Sequence, residues 1–138
     1  MKRVSLLLMV LIVSPGFTLN VFANSRFYSS VQQICTAYQV PVEYERMNMT
    51  THTDGQKEFT MTVKSARNQF DRVLTIGFYA IGKAMVYHKE SVEKVTIVVN
   101  VEYKGMENIV ATAEREDIVK FANGEISSTE FVRRIKFA

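Results

Sequence analysis

Between Val95 and Tyr103 the chain alternates strictly. Val95, Ile97, Val99, Val101 and Tyr103 take the odd positions, and Thr96, Val98, Asn100 and Glu102 the even ones. A period of two puts the first set on one face of a β-strand, turned toward a core. "KEFTMTV" repeats the pattern, with Phe59, Met61 and Val63 on one face and Thr60 and Thr62 on the other. "VEYERMNMT", residues 42–50, also reads as a strand. Asp54-Gly55 lies between it and "KEFTMTV", which predicts an antiparallel hairpin. Lys104-Gly105 marks a second turn, after which "MENIVATA" returns as a fourth strand.

The other segments follow the helical period. Phe27, Val31, Ile34, Cys35 and Tyr38 recur at steps of three and four, which predicts a helix from Asn24 to Tyr38 that ends before Pro41. A central helix is predicted from Ser65, as N-cap, to about His88. Beyond the fourth strand, Glu114, Glu116 and Asp117 lie at a helix start, where the helix dipole favours negative charge, and Asn123-Gly124 reads as its stop. Ser127 and Glu130 match a capping box, which predicts a last helix from Ser128 to Lys136.

These elements give an α+β class: an antiparallel sheet of about four strands with helices packed on one face. The order is α-β-β-α-β-β-α-α. Within it, two stretches each read turn, strand, charged helix start and apolar helix, so a ββα pseudo-repeat related by a twofold is an expectation of the pattern.

The N-terminus changes the picture of where the chain goes. Lys2 and Arg3 precede the apolar run Val4 to Val13, Pro15-Gly16 breaks it, and Val21, Phe22 and Ala23 present a cleavage site. This is the three-part pattern of a secretory signal peptide over residues 1–23, in the style of bacterial export to the periplasm or beyond. The run is too short for a span of ~20 residues, so no stable membrane span is expected after cleavage. Residues 24–138 then form a single domain, long enough to bury its own core. The leader holds two of the 17 basic residues and none of the 14 acidic ones, which leaves the domain at +1. A near-neutral domain lacks the concentrated basic face that phosphate backbones require, which argues against nucleic acid as a partner.

Candidate chemistry is sparse. Cys35 is the lone cysteine, and its neighbours place it on the apolar face of a helix, as a buried thiol. His52 and Asp54 share a solvated turn. No spacing of His, Cys or carboxylates matches a metal site, and no glycine-rich loop or nucleophile elbow is present, so neither metal nor cofactor is expected. Cys35 with His88 is the one Cys–His pairing the element order permits, and it carries the alternative reading of a small periplasmic hydrolase or ligand-processing enzyme.

The positive signal is apolar surface. On the central helix Phe70, Leu74, Gly77, Ile81, Ala84 and Met85 form one face, widened by Val73, Ile76, Ala80 and Tyr87. A helix apolar on most sides needs cover on most sides, from its own domain, a second copy or a ligand. Gly77, Ala80 and Ala84 leave shallow places for close approach. Gly77, Ala80, Ile81 and Ala84 are therefore the candidate contact residues of a binding or assembly protein, with a protein partner or a second copy of the chain as the expected occupant.

Overall fold

The computed structural model describes residues 15–102 and 105–138, with side-chain environments from Asn24 onward. Most of the expected leader, Met1–Ser14, lies outside the described residues, and the expected cleavage point after Ala23 falls within the first helix. The elements in order are α1 (Pro15–Ala37), a 3-10 turn (Tyr44–Arg46), β1 (Met47–Thr51), β2 (Lys57–Ala66), α2 (Phe70–His88), β3 (Val92–Glu102), β4 (Met106–Glu114), α3 (Arg115–Ala122), α4 (Ser128–Arg134) and β5 (Lys136–Phe137). The fold is α+β, and the helices pack on one sheet in the expected order.

The sheet has five strands in the order β1-β2-β3-β4-β5. Neighbours run antiparallel except β2 and β3, which are parallel over Lys57–Ala66 and Val92–Glu102. Parallel neighbours need a long crossover, and α2 supplies it. The two strand–strand–helix units recur in sequence, yet a twofold does not relate them. An operation carrying β1–β2 onto β3–β4 in this order reverses strand direction and turns the sheet over. That would put α2 and α3 on opposite faces, whereas Gly82 of α2 lies directly against Ala122 and Ile118 of α3.

The alternating strands point as their patterns require. Phe59, Met61 and Val63 of β2, and Val95, Ile97, Val99 and Val101 of β3, are all buried under the helices. Phe27 and Val31 of α1, Phe78 and Ile81 of α2, Ile118 of α3 and Phe131 of α4 close the core from above. The opposite face carries Thr60, Thr96 and Thr112 in one cross-strand row, with Thr96 and Thr112 hydroxyls 3.2 Å apart. A polar face of this kind is normal for a sheet open to water on one side.

α1 begins at Pro15, upstream of the expected Asn24, and three further boundaries differ from the sequence expectation. Ser65 does not cap α2: β2 continues to Ala66 because its ladder with β3 continues to Glu102, and the Ser65 hydroxyl donates to the Ala66 carbonyl. The first strand begins at Met47, since Tyr44–Arg46 coils into a 3-10 turn. The last helix stops at Arg134, and Lys136–Phe137 adds a fifth strand against Ala111 and Thr112.

Helix ends follow two chemistries. Ser127 caps α4, its hydroxyl accepting the Glu130 N–H at 3.1 Å, while the Glu130 carboxylate turns to Arg134. α3 ends on Gly124 in the left-handed region, φ +75°. α1 and α2 make the same stop without glycine. Gln39 (φ +64°) and Lys89 (φ +53°) take the left-handed position, and the next N–H groups, of Val40 and Glu90, return to the carbonyls of Cys35 and Met85.

Candidate functional site

The central helix is covered largely from within the chain. Gly77 faces the sheet: a side chain there would meet Ile97 Cδ1 at 2.9 Å and Met61 Cε at 3.3 Å. Gly82 faces α3, where a Cβ would meet Ala122 Cβ at 2.8 Å and both Ile118 Cγ2 and the Ile118 carbonyl at 3.0 Å. α1 lies antiparallel along the other flank, since Tyr38 at its end meets Tyr79 near the middle of α2 while Phe27 meets His88 at the end of α2. Of the four predicted contact residues, Gly77, Ala80 and Ile81 are buried in the chain's own core, because α2 crosses directly over β2 and β3. They are not available to a partner without opening the core. Ala84 is just as fully buried, and it alone of the four lines an open surface.

That surface is a groove of about 650 Å³ between α1 and α2. Ile34 and Ala37 contribute from α1, and Ala84 from α2. Tyr38, Tyr79 and Tyr87 stand along it. Tyr38 is 46% exposed and Tyr87 81%, so both rings offer contact area to solvent. Tyr79 is held edge-on between Tyr38 and Phe121, with Lys83 Nζ 5.7 Å from its ring centroid. Lys83 is the only charged residue among those lining the groove; Ser30 and Gln33 complete its polar part. At the far end Arg72 donates to the Tyr38 carbonyl at 2.6 Å, fixing the end of α1 on α2.

The sequence signal for this groove is the spacing of Tyr79, Lys83 and Tyr87, one residue every four, on the side of α2 away from the sheet. It was masked by the stronger apolar face of the same helix, with which Tyr87 was grouped.

The Cys–His pairing does not assemble. His88 Nε2 shares a 2.7 Å hydrogen bond with Ser30 Oγ and packs edge-on against Phe27 and Tyr87. Cys35 lies five residues beyond Ser30 on α1, about 7.5 Å along the helix axis. Its side chain is fully buried, and desolvation pushes the thiol up to about 12, the opposite of an activated nucleophile. Ser30 and His88 are within nucleophile–base reach, but Ser30 sits inside α1, where main-chain N–H groups are committed to the helix. The bond pins the end of α2 to α1. His52 sits on the exposed β1–β2 turn, 3.4 Å from Glu58, and Asp54 accepts the Gln56 N–H. Among the described residues no group of three or more His, Cys, Asp or Glu could hold a metal ion. No described helix is long and apolar enough to cross a membrane.

No protein-family model, curated protein or solved structure matches the chain.

Proposed function

We propose that this is an exported binding protein that holds a protein partner in the groove between α1 and α2. The observation that carries the reading is the open apolar groove with Tyr87 at its rim, 81% exposed. Tyrosine supplies a large contact area for little lost freedom and is enriched where proteins bind one another. The groove is open rather than enclosed, which suits a protein surface better than a small molecule that must be engulfed. The hydrolase reading has less support, because Cys35 is buried and His88 is occupied by Ser30.

Site-specific photocrosslinking tests the reading in cells that make the protein. A photoreactive residue at position 87 is expected to give a discrete adduct, while one at position 62, on the outer sheet face, gives none. Equal adducts from both positions, or none from 87, would reject the groove as the binding surface.

A further inference from the structure

The chemistry of the groove also specifies the form of its occupant. Both walls are helices. Their main-chain N–H and C=O groups are used within the helices, so neither wall offers the free strand edge that an extended peptide needs. On α1 and the turn that ends it the contributing residues run from Ser30 to Tyr38, and on α2 from Tyr79 to Tyr87. Each stretch covers eight residue steps, about 12 Å, or a little over two helical turns. A partner helix laid between them would present apolar residues at i, i+3 or i+4, and i+7 to this length.

Charge narrows the choice further. From Asn24 to Ala37, α1 carries Arg26 and no acidic residue, and α2 carries Arg72 and Lys83 against Asp71 alone. No acidic residue lines the groove, and Lys83 is its one charge. Two copies joined through this face would bring like charge to like charge, which disfavours a symmetric dimer here. A basic face could also meet an anionic lipid surface. However, a helix that lies on lipid carries a row of Lys and Arg flanking an apolar ridge. Here a single Lys, its Nζ over the Tyr79 ring, shares a groove with three tyrosines.

We propose that the groove receives an amphipathic helix of a protein partner whose apolar face is bordered by an acidic residue that pairs with Lys83. This rests on the groove reading above and adds the partner's shape and charge to it.

The test uses the purified protein and three stapled amphipathic peptides with one common apolar face and Glu, Gln or Lys at the bordering position. Titration calorimetry is expected to rank them Glu, then Gln, then Lys, with the Glu peptide about tenfold tighter than the Lys peptide. Lys83→Glu is expected to reverse that order, and added salt to shrink the difference, because a rim ion pair is screened. Binding of all three with equal affinity would overturn the acidic partner and leave the groove reading standing. Binding of none would remove the groove reading itself. Two further results would also overturn the proposal: a dimer that Tyr87→Ala dissociates, or binding to phosphatidylglycerol vesicles in place of the peptides.

Discussion

Gly77 and Gly82 lie on one helix and pose the same substitution against different neighbours. Glycine to alanine inside a helix recovers about 1 kcal/mol of helix propensity, and this gain is common to both sites. At Gly77 the new methyl meets Ile97 Cδ1 at 2.9 Å and Met61 Cε at 3.3 Å, both ends of rotatable side chains. Displacing such ends costs about 0.5–1.5 kcal/mol, so Gly77→Ala is expected near neutrality. At Gly82 the methyl meets Ala122 Cβ at 2.8 Å and the Ile118 carbonyl at 3.0 Å. Neither atom can rotate away, so α3 must shift as a body. Overpacking of this kind costs about 1–3 kcal/mol, which outweighs the propensity gain. Gly82→Ala is therefore expected to be less stable than Gly77→Ala by about 1–2 kcal/mol, or roughly 4–8 °C in Tm. Urea unfolding followed by circular dichroism measures the difference directly, and the shared propensity term cancels in it. Equal stabilities, or a more stable Gly82→Ala, would refute the claim that Gly82 sets the approach of α3 to α2.

Other outcomes follow from the same contacts. Because the folded Cys35 thiol ionises near 12 and an exposed one near 9.0, its contribution is complete below pH 9 and is lost as pH rises toward 12. At pH 10.5 the loss is about 2 kcal/mol, so Cys35→Ala should lose that much less stability than wild type between pH 8 and 10.5 in urea titrations. Burial also raises the Tyr28 phenol, which adds to the alkaline loss equally in both proteins. Gln39→Gly and Lys89→Gly relieve left-handed strain and should each raise the urea midpoint, by about 1 kcal/mol of stability. Ser127→Ala should cost about 1 kcal/mol by removing the hydroxyl that accepts the Glu130 N–H. Tyr87→Ala should change stability by less than about 0.5 kcal/mol, since the ring is mostly in solvent, while weakening binding of the Glu-bearing peptide. The proposed export, with cleavage after Ala23, predicts that N-terminal sequencing of the mature protein begins at Asn24.

The strands were legible where their alternation is local and unbroken: β3 could be read from Val95 to Glu102, with the expected Tyr103 outside the described residues, and so could the inward face of β2. The α3 stop and the α4 cap were legible because Gly124 and Ser127 are residues whose chemistry fits those positions. The ends of α1 and α2 fall within one residue of the expectation, although Gln39 and Lys89 adopt a conformation their side chains do not announce. The parallel join of β2 to β3 depends on which edge α2 returns to, a choice that local pattern does not encode. Strand β5 is two residues long and has no period to detect. The groove was hidden for a related reason. Tyr79, Lys83 and Tyr87 acquire meaning only when α1 lies beside α2, and no periodicity within one helix specifies its neighbour. All four candidate contact positions on α2, Gly77, Ala80, Ile81 and Ala84, are buried. For Gly77 the approaching group is the chain's own sheet, and the closest helix approach, at Gly82, is to α3.

The central claim is that the α1–α2 groove, and no other surface, takes the partner. Amide chemical-shift mapping of the isotope-labelled protein with the Glu-bearing amphipathic peptide tests it most directly. The account predicts shifts concentrated at Ile34, Tyr38, Tyr79, Lys83 and Tyr87, with Thr60, Thr96 and Thr112 unmoved. Shifts concentrated on the threonine face of the sheet, with the groove silent, would contradict it.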